Sequence, residues 1–452
     1  MATPTLPTRV IIGWGLGTLP MAIYFNAFNI LALRFLTDVV GLAAATAGLL
    51  ISMSKIYDAV SDPLMGTLSD RTRTRFGRRR PFLVLGGLAC GASIFAFFAL
   101  PSLVETDNIA WLVGGLLILY ATAYTIYNVP YMAMPAEVTS LPAERSRMMS
   151  IRVMCIGAGG LIAGTLGPKI VGAAGGGAEG HVVMGAALGA SIAVFAIGVF
   201  LATSSPAAAK IETRAPSNLS LKDKIAAVVS NTPFMQLLLL KLLILMGVAI
   251  SSATLAFFFV TNRGRSYGDL GTVIMFTTLG QILGTPIWLK IVTRLGKRQT
   301  FGLSAVIFAA VSMTWMLADA SEPLWLTGLR VFAKGLGTGG ILLVSQAMLP
   351  DTIEYDRLRT GLAREGVLSG LYTTIEKISF AIGTALTGLF LGTMGYVAKA
   401  SSQSDSAISA IYACQASIPA GLMLLAAVSL TFYRLSEEQL EQGRQAALEP
   451  AS

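Results

Sequence analysis

Long apolar runs separated by short polar segments repeat along the whole 452-residue chain. Runs at about 10–36, 41–68, 81–103, 109–136, 148–173 and 181–203 come first. A polar stretch at 204–232 follows, and then runs at about 233–260, 269–293, 300–319, 323–349, 367–392 and 406–434. Each run is long enough to cross a bilayer, which takes roughly 20 mostly apolar residues in an α-helix. The pattern predicts an all-α membrane protein with twelve transmembrane helices in two pseudo-symmetric six-helix bundles. The predicted parts are an N-terminal bundle at 1–203, a cytoplasmic linker at 204–232, a C-terminal bundle at 233–434 and a cytoplasmic tail at 435–452. The first run is too long for a cleavable signal and lacks a small-residue cleavage site.

Composition agrees with the pattern. Hydrophobic residues make up 54% of the chain and charged residues 13%, against about 25% charged in soluble domains. The net charge of +9 does not point to nucleic acid, because the basic residues sit in the loops between apolar runs. One face collects Arg9, the cluster from Arg71 to Arg80, Arg145, Arg147, the linker cations, Arg294, Lys297, Arg298, Arg357, Arg359, Arg364, Arg434 and Arg444. The other receives only Arg263, Arg265 and Lys399. Positive loops stay inside, so both termini are expected in the cytoplasm of a cell with this chain in its inner membrane. Cys90, Cys155 and Cys414 lie inside apolar runs without metal-ligand spacing. His181, beside a predicted outer loop, is expected to be a lone surface histidine. No nucleophile–base pair or metal cluster points to an enzyme.

The two halves echo each other. After the second run comes Gly66-Thr-Leu-Ser-Asp70-Arg71, leading to Gly77-Arg78-Arg79-Arg80. After the eighth comes Pro286-Ile-Trp-Leu-Lys290, leading to Arg294-Leu-Gly296-Lys297-Arg298. A basic, glycine-bearing turn after the second helix of each half is what duplicated six-helix units produce.

Ionisable groups at membrane depth are functional candidates, because a carboxylate there costs several kcal/mol or more. The second run contains Lys55, Asp58, Ser61 and Asp62. Asp58 and Asp62 are spaced i,i+4 and share a helix face, with Lys55 one turn before. Two adjacent carboxylates repel each other, so one stays protonated unless a cation sits between them. That is a recipe for a Na⁺ or H⁺ site, and a hard cation would be held by such oxygens. A buried salt bridge from Lys55 to one aspartate would leave the other unexplained. Helix four brings Tyr124, Thr125 and Asn128, with Thr125 and Asn128 facing one way; helix one has Asn26 and Asn29, helix five Arg152 and helix eleven Glu376-Lys377. Of these, Tyr124, Asn128 and Asn26 are candidate substrate contacts. Lys241, Arg330 and Lys334 are expected to snorkel to an interface, and Arg34 and Lys169 lie near helix ends. The glycine run 335–340 lies within an apolar span, where close helix packing explains it better than a nucleotide loop.

The loop motif Gly66…Asp70-Arg71…Gly77-Arg78-Arg79 resembles that of the major facilitator superfamily. Tyr57-Asp58-Ala-Val-Ser-Asp62-Pro63 with its loop to Phe82, Thr37-Asp38-Val39-Val40-Gly41-Leu42, Asn128-Val-Pro130-Tyr131 and Asp351-Thr-Ile-Glu354-Tyr355…Arg364-Glu365-Gly366 are similar to the glycoside–pentoside–hexuronide:cation symporter family. The resemblance implies that Asp58 and Asp62 bind the coupling cation, with Thr125 assisting, and Ser61 on the same helix is a further candidate cation ligand. It implies that Arg152 contacts substrate and that Lys377 bridges the cation and substrate regions. It assigns Asp351, Glu354 and Arg364 to a cytoplasmic gate, and the loop residues Asp70, Arg71 and Arg78 join them as candidates. Two departures stand out. The family's acidic residue in helix one is missing, and Met132 and Leu342 replace tryptophans that stack on a sugar in one well-known member. The expected function is symport of a sugar, glycoside or similar polar solute with Na⁺ or H⁺, by alternating access and without a cofactor. The alternative is transport of a lysolipid or other amphipathic molecule. The expected partners are the solute, the cation and the lipid bilayer, with no nucleic acid, and the expected working unit is a monomer.

Overall fold

The computed structural model describes residues 6–103, 108–139, 141–204, 230–318, 321–360, 364–400, 402–433, 435, 439–442 and 445. Nearly all of the expected linker and most of the expected tail lie outside the described residues. Among the described residues the only regular structure is helical. In chain order the helices are α1 (Thr8–Val40), α2 (Ala44–Arg71), α3 (Arg80–Leu103), α4 (Ile109–Val138) and α5, which runs from Pro142–Leu161 through Ile162–Leu166 into Gly167–Ala173. They continue with α6 (Gly177–Ala202), α7 (Thr232–Asn262), α8 (267–295), α9 (297–313), α10 (Leu324–Thr360), α11 (Glu365–Thr393) and α12 (Asp405–Phe432). Ten spans are long and apolar enough to cross a membrane. One of them, Tyr267–Leu317, contains both α8 and α9, which turn at Gly296 with φ 77° and ψ 168°. Such a φ favours glycine, which has no Cβ to clash. The helix missing from the ten is α2, whose hydropathy is lowered by the charges that make it interesting.

The chain divides into two compact units. The first contains residues 1–215 with 252–275 and 384–411; the second contains 216–251, 276–383 and 412–452. In the first unit α1 is buried along most of its length and is broken at Gly17, three residues before Pro20. Proline removes one backbone donor, and within a membrane the carbonyls freed at a break need other donors. Helix α4 adds donors at this break: Tyr131 Oη donates to the Trp14 carbonyl at 2.8 Å, which also accepts the Gly17 N–H at 2.9 Å, and Tyr127 Oη donates to the Gly17 carbonyl at 2.9 Å. Trp14 returns a bond from Nε1 to the Tyr131 carbonyl at 3.0 Å and stacks on the Tyr131 ring.

Both α1 and α7 finish in a π-helical turn, at Phe35–Val40 and Phe257–Asn262. This is a second echo between the first helices of the two halves. At this weakly basic end, Arg34 pairs with Asp38 at 3.2 Å and donates to the Tyr267 hydroxyl, while Tyr396 donates to Asp38 at 2.7 Å. Burial, then the Asp38 carboxylate, pushes the Tyr396 phenol well above its ordinary pKa, so it remains a donor. His181 is buried here rather than on the surface, packed against Phe35, Phe98 and Tyr267, with Nδ1 2.5 Å from the Gly177 carbonyl. The aromatic pocket that receives it is assembled from three other helices and has no local signature. Helix α2 meets α11 nearly backbone to backbone: a Cβ on Gly388 would lie 2.4 Å from the Ala44 carbonyl oxygen and 2.8 Å from the Gly48 Cα.

In the second unit, a core of Phe234, Leu237, Phe301, Phe308, Val344 and Met348 packs around Tyr372. The expectation of snorkelling fails for Lys241. It is 4% exposed, bonds the Tyr372 carbonyl at 2.8 Å, pairs with Glu376 at 3.1 Å and lies over the Tyr372 ring. Arg330 forms a 2.7 Å ion pair with Glu322, just ahead of its helix. A carboxylate within reach removes the need for either stem to extend to water. Lys334 is likewise buried.

Candidate functional site

Helix geometry turns three oxygen-bearing side chains of α2 toward one residue of α4. Asp58, Ser61 and Asp62 follow i, i+3, i+4 spacing, which places them on one face. Thr125 Oγ1 lies 2.6 Å from Asp58 Oδ1, 3.0 Å from Asp62 Oδ1 and 3.2 Å from Ser61 Oγ. Ser61 Oγ also lies 3.2 Å from the Asp58 carbonyl, to which it can donate. About one turn along, Tyr57 Oη and Thr122 Oγ1 form a second link between α2 and α4 at 3.1 Å. Asp58 and Thr125 are 4% and 2% exposed, and Asp62 is half-buried.

A threonine hydroxyl has one hydrogen and can satisfy one carboxylate at a time. Thr125 therefore cannot donate to both aspartates. A proton or a small cation among these oxygens would complete the second contact. The cluster consists of hard oxygen donors only, the ligand type a proton or an alkali cation takes. Lys55, 8% exposed, holds Nζ 4.8 Å from the centre of the Phe25 ring, 5.3 Å from Phe28 and 5.8 Å from Tyr120. These rings offer a buried ammonium cation–π attraction. Tyr24 and Tyr120 lock the adjoining layer by donating to each other's carbonyls at 2.9 and 3.2 Å and stacking at 4.1 Å.

The candidate substrate residues divide between the two units. Tyr124 lies parallel to Tyr24, with ring centres 6.3 Å apart. Asn128 is half-buried one turn beyond Thr125. Asn26 donates to the Ala22 carbonyl at 2.8 Å, near the Cα of Gly160 on α5. Arg152 on α5 has a buried Nε without a hydrogen-bond partner among the described residues. Lys377 belongs to the second unit, next to Glu376, whose carboxylate pairs with Lys241.

At the basic end, Asp70 pairs with Arg79, which also donates to Ser69. Arg71 is exposed and Arg78 half-buried. In the second unit Asp351 pairs with Lys297 at 2.5 Å, and Glu354 is half-buried. Arg364 Nη1 stands 4.0 Å from Asp356, a buried carboxylate whose oxygens have no hydrogen-bond partner among the described residues. Sequence reasoning missed Arg79, Lys297 and Asp356 as the partners in these pairs. For Asp351 the available signal was the second basic turn, which already contained Lys297. Asp356 differs from its charged neighbours only in burial, which sequence does not display. Among the described residues no cluster of three or more His, Cys, Asp or Glu is positioned to hold a metal ion.

Residues 13–437 match the profile of the family described as MFS/sugar transport protein. The chain is 27% identical over 434 residues to the putative glycoside/cation symporter YagG of Escherichia coli (strain K12), covering 95% of this chain and 92% of that one. It is 26% identical over 419 residues to the isoprimeverose transporter of Lactiplantibacillus pentosus, covering 91% and 86%. The fold is similar to a crystal structure of the nucleoside transporter NupG, with a TM-score of 0.63 at 12% identity, covering 94% of this chain and 100% of that one.

Proposed function

The chain belongs to the MFS/sugar transport protein family, and we propose on that ground that it is a cation-coupled symporter of a sugar or glycoside. It is a multi-pass membrane transporter and not an enzyme. The observation that carries the coupling is the single Thr125 hydroxyl between the carboxylates of Asp58 and Asp62. The names of the relatives, a glycoside/cation symporter and an isoprimeverose transporter, support a sugar-like solute. In this reading the basic end faces the cytoplasm, with both termini, as the loop charges favour. Solute and cation are exchanged by alternating access. A cation that neutralises the aspartates makes it cheaper to enclose them, and a solute that favours the same closure is driven by the cation gradient. Lys377 links the cation region to the solute region, and Arg152, Asn26, Tyr124 and Asn128 meet the solute. Asp70, Arg71, Arg78, Asp351, Glu354 and Arg364 belong to the cytoplasmic gate.

The test replaces Asp58 or Asp62 by Cys and measures accumulation in proteoliposomes under an imposed Na⁺ or H⁺ gradient. Both variants are expected to insert and fold but to lose cation-driven accumulation. A variant that still concentrates solute with a normal cation dependence would place the coupling site elsewhere.

A further inference from the structure

Arg9 and Arg80 converge on the last turn of α6. Arg9 donates from Nη2 to the Leu201 carbonyl at 2.8 Å and to Ser204 Oγ at 2.7 Å, and from Nε to the Ala202 carbonyl at 3.3 Å. Arg80 donates from Nη2 to the Phe200 carbonyl at 2.6 Å and lies over the Phe200 ring. A helix C-terminus carries about half a negative charge, so two guanidinium groups leave roughly one and a half positive charges unbalanced there. Neither arginine forms an ion pair among the described residues: Asp70 is taken by Arg79, and Glu144 accepts from the Leu6 N–H and from Thr139. The two arginines stand at the start of the apolar spans Thr8–Val40 and Arg80–Pro101, and the carbonyls they bind end the span Gly177–Ala202. The surplus charge therefore sits at the depth where lipid headgroups begin.

Below that charge the surface is apolar. Helix α1 meets α6 at Gly13, where a Cβ would lie 2.5 Å from the Ala202 Cβ. Beside this seam α1 exposes Ile12 and Leu16, and α6 exposes Val194, Ile197 and Leu201. Spacings of three, four and seven residues put Ile12 and Leu16 on the face of α1 that carries Arg9, and the three residues of α6 on a single face as well. Taken from the contact of Gly13 with Ala202, helix geometry turns both rows to the same side. Between Ala202 and the row of α6 lies Gly198, where a Cβ would meet nothing within 4 Å. The seam is thus a shallow groove with an apolar wall on each side and two cations at its head. Exposed leucines and isoleucines alone ask only for bulk lipid, and cations alone only for a soluble anion. The two together fit an amphiphile with an anionic head.

We propose that this seam binds one anionic phospholipid, its phosphate on Arg9 and Arg80 and an acyl chain along Gly198 between the two rows. A phosphodiester brings one negative charge and oxygen acceptors suited to guanidinium N–H groups. Basic pockets between helix ends at the inner face of a membrane hold such headgroups. The bound lipid clamps the start of α1 to the start of α3 and the end of α6. The site belongs to the first unit alone and is independent of which solute is carried.

The test titrates dioleoylphosphatidylglycerol and dioleoylphosphatidylcholine, which share their acyl chains, into the purified full chain in a non-ionic detergent at fixed salt. Native mass spectrometry reads the bound lipid. Phosphatidylglycerol is expected to bind more tightly than phosphatidylcholine. Arg9→Gln/Arg80→Gln should weaken phosphatidylglycerol about thirtyfold, each surface cation contributing roughly fivefold. Arg294→Gln/Arg298→Gln makes the same change of charge on the second basic turn and should leave binding near that of the wild type. Gly198→Phe fills the groove without altering charge and should weaken both lipids. A thermal melt without lipid separates lost binding from lost fold; if Arg80→Gln unfolds the protein, Arg9→Gln and Gly198→Phe carry the same decision. Equal affinity for the two lipids, an equal loss in Arg294→Gln/Arg298→Gln, or unchanged phosphatidylglycerol binding in folded Arg9→Gln and Gly198→Phe would overturn the proposal. Glycerol 3-phosphate that binds as tightly as the lipid and ignores Gly198→Phe would assign the arginines to a soluble phosphate. A dimer lost in Gly198→Phe would assign the seam to a second copy of the chain. Either result excludes the lipid.

Discussion

Thr125 stands between two carboxylates and has one proton to give, so its substitutions separate hydroxyl chemistry from packing. Thr125→Ser keeps the oxygen and should retain cation affinity near that of the wild type. Thr125→Val keeps the shape, loses the oxygen and should weaken affinity by about tenfold, the worth of a hydrogen bond to a charged group; calorimetric titration with the coupling cation reads the difference. The buried pair in α7 and α11 makes a second demand. Lys241 is enclosed, whereas the Glu376 side chain is 46% exposed. Glu376→Gln strands an ammonium in the core and should cost about 3 kcal/mol. Lys241→Met leaves a carboxylate that reaches the surface and should cost distinctly less; thermal unfolding in detergent compares the two. At this scale the sequence revealed Asp58 and Asp62, because one helix supplies both and periodicity sets their face. It could not reveal Lys241, whose partner is 135 residues away, nor His181, because hydropathy measures how apolar a run is and not which neighbour it meets.

Helix α11 contains two glycines in opposite surroundings. A Cβ on Gly388 would collide with the backbone of α2 at Ala44 and Gly48, whereas one on Gly370 would meet nothing within 4 Å. Gly370→Ala should therefore stabilise the protein by about 0.5–1 kcal/mol through helix propensity. Gly388→Ala should lower the melting temperature, because backbone cannot rotate out of the way as a side chain can. A Gly388→Ala variant as stable as Gly370→Ala would mean that α2 and α11 do not approach so closely. The helices themselves were legible, since each expected run contains one, including the α8–α9 turn at the basic loop. Their ends were less so. Helix α10 continues to Thr360, well past the apolar run that ended near 349, because leaving the membrane does not end a helix. The π-helical turns closing α1 and α7 had no signature, since one extra residue in the hydrogen-bond ladder alters neither composition nor period.

Over the whole molecule, the family and the helical membrane architecture followed from the number of apolar runs, the loop motif and the acidic helix α2. The compact units were not visible. The first one gathers the weakly basic ends of α7, α8 and α11 with the first six helices, through contacts such as Tyr396 to Asp38 that join residues 358 positions apart. Long-range pairs of this kind leave no local pattern. In the proposed orientation this network belongs to the outer side of a cation-coupled carrier. Such a carrier is driven by its cation only if the cation is exchanged at the α2–α4 cluster. Infrared difference spectroscopy on the purified protein tests this most directly, by following the carbonyl stretch of protonated carboxyl groups as pH is raised or Na⁺ is added. The account predicts that wild type loses a protonated-carboxyl band as the cluster gives up its proton or takes Na⁺, and that the band is absent from both Asp58→Asn and Asp62→Asn. A cation-induced band that persists unchanged in both variants would contradict it.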